Sequence, residues 1–124
     1  MKIRGWVYVI TNRAMPDLLK IGFTLKDPQL RADEFDTAGM PHKYKVEYEA
    51  LVYDPNGIEK KVHKNLHEYR ENREWFRCSL DEAVKSIREI TRNEILLENL
   101  MGELEREREL DALVSSCVDN RPSG

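Results

Sequence analysis

Gly5-Trp6-Val7-Tyr8-Val9-Ile10 and, a few residues later, Leu18-Leu19-Lys20-Ile21-Gly22-Phe23-Thr24 are the two stretches that decide the fold. Both are rich in β-branched and aromatic residues, and the connection between them contains Pro16, which cannot continue a strand ladder. So short a connection predicts an antiparallel hairpin. Alternation along its strands places Tyr8, Lys20 and Gly22 on the face opposite the aliphatic residues, which is more typical of a site than of a packing surface.

The next segments predict a helix, a strand and a second helix. Asp27-Pro28, an N-cap followed by proline, predicts a helix over 28–38 with Leu30 and Phe35 toward the core. Residues 44–53 alternate as a third strand, and one face carries Tyr44, Val46, Tyr48, Ala50 and Val52. A helix is predicted over 57–70, followed by a loop over 71–76 whose aromatic pair returns to the core.

Ser79-Leu80-Asp81-Glu82 is a capping box and predicts the start of a third helix. Apolar residues at helical spacing continue as far as Leu104, with no proline or glycine before Gly102. We therefore expect one long helix to about Ser115, followed by a flexible tail over 116–124.

This order predicts an α+β fold, β-β-α-β-α-α, in which a small three-stranded antiparallel sheet is flanked by helices and followed by a long C-terminal helix. The 124 residues suit one domain with a modest core. We place that domain at residues 1–90, with a C-terminal extension of the last helix over 91–115 and the tail over 116–124.

Charge is unevenly distributed along the chain. Residues 1–78 hold 14 basic and 12 acidic side chains, whereas residues 79–124 hold 6 and 11, so the net charge of −3 arises in the C-terminal third. Local basic patches in the first part can still meet phosphate, although strong non-specific affinity for DNA is not expected.

The two cysteines, Cys78 and Cys117, lack the spacing of a disulfide framework or a zinc knuckle, which indicates a reducing, cytoplasmic setting. No apolar run is long enough to span a membrane, and no signal peptide is expected at the N-terminus.

Taken together, the motifs resemble the GIY-YIG endonuclease superfamily, and more narrowly its phage-associated branch. The resemblance covers residues 5–90 and is carried by Val7-Tyr8-Val9, by Lys20-Ile21-Gly22 with Thr24, by Arg31 in the next helix, by Glu59 with His63 in a Glu-x-x-x-His helix, and by Arg73-Glu74-Trp75-Phe76. It implies a nuclease domain that hydrolyses phosphodiester bonds of nucleic acid with a divalent metal. We take DNA rather than RNA as the expected substrate, with one Mg²⁺ or Mn²⁺ ion.

The same resemblance implies roles for individual residues. Tyr8 and Arg31 match the catalytic tyrosine and arginine of the family, and Glu59 matches its metal-binding carboxylate. Attack of water on a phosphodiester requires a base, neutralisation of charge on the phosphoryl oxygens, and a cation near the leaving oxygen. A tyrosine with the ordinary pKa of about 10 is a poor base at neutral pH, so its pKa would have to be lowered by positive charge.

The sequence departs from the superfamily pattern at two positions. Lys20 stands where a second tyrosine is usual, and it could lower the pKa of Tyr8, contact phosphate or point to solvent. Phe35 stands where many relatives have histidine or tyrosine, and it can neither donate nor accept a hydrogen bond. Gly22 supports the floor of the site.

Glu59, His63 and His67 are spaced four residues apart and suggest a zinc site. However, eight helical residues span about 12 Å along the axis, so one ion cannot bind all three side chains. We expect His63 to act beside Glu59 in proton transfer or phosphate contact, and His67 to be structural. Asn72 matches a bracing asparagine of relatives, while Glu74, Trp75 and Phe76 are interpreted as a lock for the fold, with base stacking by an aromatic ring as the alternative.

A second function remains open. The apolar stripe of residues 94–114 would be exposed if the last helix projects from the domain, and such stripes mark partner contacts. The alternative to a nuclease is therefore a catalytically inactive nucleic-acid or protein-binding module that forms a homodimer or docks on a partner through its C-terminal helix.

Overall fold

The computed structural model describes residues 2–35, 44–92 and 94–119. It contains six strands: β1 (Arg4–Asn12), β2 (Leu19–Thr24), β3 (Tyr44–Tyr53), β4 (Arg70–Asn72), β5 (Trp75–Phe76) and β6 (Leu97–Leu100). Its helices are α1 (Pro28–Glu34), α2 (Pro55–Asn65), a 3₁₀ turn (His67–Tyr69), α3 (Leu80–Thr91) and α4 (Met101–Asp119). The α+β class is confirmed, and the expected count of three strands is wrong.

The sheet is antiparallel throughout, in the order β4-β5-β2-β1-β3-β6. The hairpin of β1 and β2 forms as predicted, with Tyr8 opposite Gly22 and Ile10 opposite Lys20. β1 also pairs with β3, so it lies at the centre of the sheet. The segment predicted as a loop over 71–76 instead contributes β4 and β5, a short hairpin added to the edge of β2.

Two apolar clusters cover the two faces of the sheet. The larger one holds Val7, Val9 and Ile21 of the hairpin with Val62 of α2 and Ile87 of α3. The smaller one holds Tyr8, Ile10 and Val46 with Ala32 of α1, and Phe35, Tyr44 and Met101 pack against it. Tyr8 thus lies on the face that α1 covers.

A β-bulge divides the apolar residues of β3 between these two clusters. Val9 pairs with Tyr48 but Ile10 pairs with Val46, so the register shifts by one residue at Glu47. Such an extra residue exchanges the faces of the strand on its two sides. The prediction that Tyr44, Val46, Tyr48, Ala50 and Val52 share one face is therefore wrong: the last three pack in the larger cluster and Val46 in the smaller.

The helix starts follow the sequence signals. The Asp27 carboxylate accepts from the Gln29 and Leu30 backbone N–H groups, and Ser79 Oγ accepts from the Glu82 N–H. α2 begins two residues before the predicted position, at Pro55, and ends at Asn65. Leu30 is 57% exposed and does not enter the core, and the predicted end of α1 at residue 38 lies outside the described residues.

The prediction that the third helix continues without interruption to about Ser115 is wrong, although a long C-terminal helix is present. α3 ends at Thr91 because Arg92 adopts a left-handed conformation, with φ of 53°. Residues 97–100 then pair with β3 as β6, and only at Met101 does a separate helix, α4, begin. Residues 91–115 are therefore not an extension of α3, and the helical part of the predicted tail reaches Asp119.

In the described part of the chain, no helix combines the length and apolar character needed to cross a membrane.

Candidate active site

The candidate site lies at the edge of β2, beyond the residues that pair with β5. β5 pairs with β2 only at Leu19 and Lys20. Beyond that point two side chains of α2 satisfy the backbone of β2: His63 Nε2 donates to the Ile21 carbonyl oxygen at 2.8 Å, and the Glu59 carboxylate accepts from the Phe23 N–H. Side chains of α2 thus take the place of a neighbouring strand, which brings Glu59 and His63 to the β2 edge.

Tyr8 reaches the same edge across Gly22. Its side chain is fully buried, and a methyl group added at Gly22 would lie 2.5 Å from the Tyr8 hydroxyl oxygen. The ring therefore lies over the Gly22 backbone, in space that any side chain would fill. Gly22 therefore has a steric reason to be glycine.

Arg31 of α1 makes a hydrogen bond with the Tyr8 hydroxyl. Its guanidinium also pairs with Glu34 at 2.7 Å, and its side chain remains 43% exposed. Folding thus joins Tyr8 and Arg31, two of the residues expected to be catalytic, and it leaves the guanidinium accessible from solvent.

Burial raises the pKa of Tyr8 to about 12, while the hydrogen bond and positive charge of Arg31 oppose this rise. The shift is opposite to the one that a base at neutral pH needs. The cation that acts on the phenol is Arg31 rather than Lys20, so Tyr8 is a neutral hydrogen-bond donor at pH 7.

Glu59 is a buried carboxylate with one unsatisfied oxygen. Oε1 lies 3.7 Å from His63 Nδ1, and Oε2 is buried with no hydrogen-bond partner among the described residues. Burial, with the negative charge of Glu74 in second place, raises the pKa of Glu59 to about 7. A buried polar atom without a partner is rare and costly in a protein, and a bound water or cation would satisfy it.

His63 lies beside Glu59, as predicted. A carbonyl oxygen only accepts, so Nε2 of His63 carries the proton and Nδ1 keeps a free lone pair. Burial lowers the pKa of His63, so the ring is neutral at pH 7. His67 is exposed and donates from Nδ1 to the Lys64 carbonyl at 3.0 Å, a local contact at the end of α2.

Among the described residues, no group of three or more His, Cys, Asp or Glu side chains is arranged to bind a metal ion. This does not match a structural zinc site, which uses four protein ligands. Mg²⁺, by contrast, commonly binds one or two carboxylates and completes its shell with water and substrate phosphate. The single unsatisfied oxygen of Glu59 fits that second pattern.

Lys20 does not point freely to solvent. Its ammonium lies 3.2 Å from Glu74 Oε2 and 3.5 Å from the centre of the Phe35 ring. Arg31 lies 4.8 Å from the same ring. The Phe35 ring thus makes cation–π contacts with both Lys20 and Arg31. The sequence analysis considered only that Phe35 cannot form hydrogen bonds, and it did not predict this role.

Glu74 is the site residue that sequence reasoning missed, because it was interpreted as part of a lock for the fold. Its negative charge raises the pKa of both Tyr8 and Glu59. With Lys20, Asn72, Arg73 and Trp75 it lines an open pocket of about 560 Å³. In the sequence, only its position next to Trp75 pointed to Glu74. Its ion pair with Lys20 could not be predicted, because it depends on the register between β5 and β2.

Comparison with known protein families found one match: the T5orf172 domain matches residues 5–91, which is more than half of the chain. Searches among curated proteins and among solved structures gave no match.

Proposed function

Because the chain belongs to the T5orf172 domain family, we propose that it is a phage-associated nuclease of the GIY-YIG type that hydrolyses DNA phosphodiester bonds with one divalent cation, Mg²⁺ or Mn²⁺. The observation that carries this proposal is the Glu59 Oε2 atom, which is buried and has no hydrogen-bond partner within residues 2–35, 44–92 and 94–119. It belongs to a site in which Arg31 and Glu74 act on the pKa of Tyr8. The carboxylate can hold a cation, and the accessible guanidinium can neutralise charge on the phosphoryl oxygens, two of the needs of phosphodiester hydrolysis.

Glu59 would hold the cation. When bound, a divalent cation supplies positive charge to the phosphoryl oxygens and to the leaving oxygen. Since burial raises the pKa of Glu59 to about 7, the carboxyl must lose its proton on binding. His63 Nδ1, 3.7 Å from Oε1, is a neutral acceptor next to that proton.

Tyr8 and Arg31 would act on the substrate itself. The guanidinium of Arg31 is accessible and can neutralise charge on the phosphoryl oxygens. The Tyr8 hydroxyl accepts from Arg31 and keeps its own proton at pH 7, so it can orient the attacking water or donate to a phosphoryl oxygen. This assigns Tyr8 a positioning task in the resting state, and proton abstraction by Tyr8 would require prior ionisation.

Incubation of purified protein with supercoiled plasmid and Mg²⁺ or Mn²⁺ tests the proposal. We expect nicking or cutting, and a loss of at least about 100-fold in rate for Tyr8→Phe, Arg31→Ala and Glu59→Gln. Glu68→Gln, at an exposed glutamate of the 3₁₀ turn, is the matched control and should cut normally. Normal cutting by Glu59→Gln would reject its assignment as the metal ligand.

One observation favours the alternative of an inactive binding module. Leu110, Leu113 and Val114 of α4 are each about 60% exposed and follow the i, i+3, i+4 spacing of a contact face. The partner in this case would be a second copy of the chain or another protein. If no metal supports cutting, and light scattering shows a dimer that Leu110→Ser with Leu113→Ser converts to a monomer, the binding module is the better description.

A further inference from the structure

The Lys20 ammonium is held at a defined position on the surface of the site. Its side chain is only 13% exposed, with the Phe35 ring 3.5 Å from Nζ and the Glu74 carboxylate at 3.2 Å. A lysine on a free surface would sample many rotamers at low cost. These two contacts fix the direction in which Lys20 presents its charge.

Backbone contacts of the β4–β5 hairpin with β2 hold Glu74 in this position. Arg73 has a φ of 46°, which closes the tight turn between β4 and β5. The Glu74 carbonyl then accepts from the Ile21 N–H at 3.0 Å, and Trp75 pairs with Lys20. Residue 74 is therefore tied to the backbone directly after Lys20.

The Glu74 side chain is also accessible to solvent. Its side chain is 38% exposed, and with Lys20 and Arg73 it lines the pocket of about 560 Å³. A carboxylate offers an ammonium the same kind of charged oxygen acceptor that a phosphodiester offers. An ion pair with so exposed a member contributes little stability, so an incoming phosphate can replace the carboxylate.

We propose that Lys20 is a phosphate-binding residue of the substrate site and that Glu74 occupies its place in the free protein, as an internal competitor that substrate phosphate must displace. This inference rests on the proposed function, because it requires that nucleic acid binds at this site. It decides between the three roles left open for Lys20, and it gives Glu74 a role in substrate affinity.

The experiment measures binding of a fluorescein-labelled DNA duplex by anisotropy, with EDTA present so that no cutting occurs. Removal of the competing charge in Glu74→Gln should tighten binding by about 3- to 10-fold, and Lys20→Gln should weaken binding and lower the salt dependence by about one charge. In the Lys20→Gln background, Glu74→Gln should have no effect beyond that of the control.

The matched control is Glu71→Gln. Glu71 lies in the same β4–β5 hairpin as Glu74, and its substitution by glutamine removes the same charge. Its carboxylate pairs with Arg77 instead of Lys20. Thermal unfolding establishes that each variant folds. If Glu74→Gln is unfolded, Glu74→Asp replaces it, and its shortened reach to Lys20 should give a smaller gain in affinity.

Each outcome decides between the two levels of the proposal. If Glu74→Gln gains no more affinity than Glu71→Gln, or gains the same affinity with and without Lys20, the competitor role is rejected while the proposed nuclease stands. If neither the wild type nor Glu74→Gln binds DNA at any salt concentration, the inference is rejected, and the plasmid-cutting assay with Mg²⁺ or Mn²⁺ decides separately on the proposed function.

Discussion

Glu59 shows how one side chain can serve the fold and a site at once. One side of its carboxylate accepts a hydrogen bond from the β2 edge, while Oε2 has no partner in the part of the chain that the structure describes. A purely structural role would be met by a residue that satisfies all of its buried polar atoms. The unsatisfied oxygen therefore has a measurable consequence for stability.

The first prediction is that Glu59→Gln stabilises the protein at alkaline pH. The pKa of Glu59 is raised to about 7 from an ordinary 4.5, so the native state keeps a proton that the unfolded chain loses between these values. This contribution to stability is fully present below pH 4.5 and is lost as the pH rises through 7. A neutral glutamine should therefore raise the free energy of unfolding at pH 8 by on the order of 2 kcal/mol.

Urea denaturation at pH 5 and pH 8 measures this effect, and the difference between variant and wild type should shrink at pH 5. Addition of Mg²⁺ at pH 8 should raise the midpoint of wild type and leave that of Glu59→Gln unchanged, because the cation binds only the native carboxylate. If Glu59→Gln is less stable than wild type at pH 8, the conclusion that burial of the Glu59 carboxylate destabilises the native state at this pH is wrong.

The second prediction concerns the space over Gly22. Gly22→Ala would place a methyl group 2.5 Å from the Tyr8 hydroxyl and 2.7 Å from the ring carbon that bears it. Because the ring is buried it cannot move freely, and we expect a loss of about 2 kcal/mol in stability. Displacement of the hydroxyl from Arg31 should also lower any nuclease rate.

Gly102→Ala is the control, since a methyl group there meets no atom within 4 Å among the described residues. Its stability should equal or slightly exceed that of wild type, because alanine favours the helix. Equal stabilities of the two variants in urea would show that Tyr8 does not occupy the space above Gly22.

At the scale of elements, β6 is held to the sheet by a polar clamp. The Tyr48 hydroxyl donates to Glu98 Oε2 at 2.5 Å, and Glu98 receives two hydrogen bonds from Arg88 of α3, at 2.6 and 2.9 Å. These contacts join β3, β6 and α3. Hydrogen bonds from Arg88 lower the pKa of Glu98, so this stabilisation is present at neutral pH and is lost on acidification through the lowered pKa.

The third prediction is that Tyr48→Phe loosens β6 and leaves the centre of the sheet intact. The loss of one hydrogen bond to a carboxylate should cost on the order of 2 kcal/mol. Amide hydrogen exchange should accelerate at residues 97–100 more than in β1. Tyr53→Phe, at an exposed tyrosine of the same strand, is the control, and equal exchange in both variants would contradict the clamp.

At the scale of the whole molecule, residues 97–101 complete the domain instead of projecting from it. β6 covers the edge of β3 over four residue pairs, and Met101 packs on the smaller cluster. The sequence analysis placed the domain boundary at residue 90. A domain that ended there would lack β6. An uncovered β3 edge would be free to pair with other chains.

The fourth prediction compares two truncations. A chain that ends at Arg92 loses β6 and should unfold at a temperature at least about 10 °C lower, or aggregate. A chain that ends at Arg108 keeps β6 and Met101 and should unfold within about 3 °C of the full chain. Calorimetry and light scattering measure both, and equal unfolding temperatures would show that β6 is dispensable.

The sequence by itself determined the hairpin of β1 and β2, the starts of α1 and α3, and the residue types of the site. These depend on local physics: β-branched alternation, capping side chains, and the short connection through Pro16. It also placed Tyr8, Lys20 and Gly22 on one face, because alternation within one hairpin needs no information from distant residues.

Only the tertiary structure decided which strands fill the sheet edges and what each site residue touches. Residues 95–100 have helical spacing, but pairing with the open edge of β3 outweighs that local preference. Likewise, the ion pair of Lys20 with Glu74 and the unsatisfied oxygen of Glu59 depend on register and burial, which join residues up to 54 positions apart. Such long-range contacts leave no periodic trace in the sequence, because each depends on the positions of both partners in the folded chain.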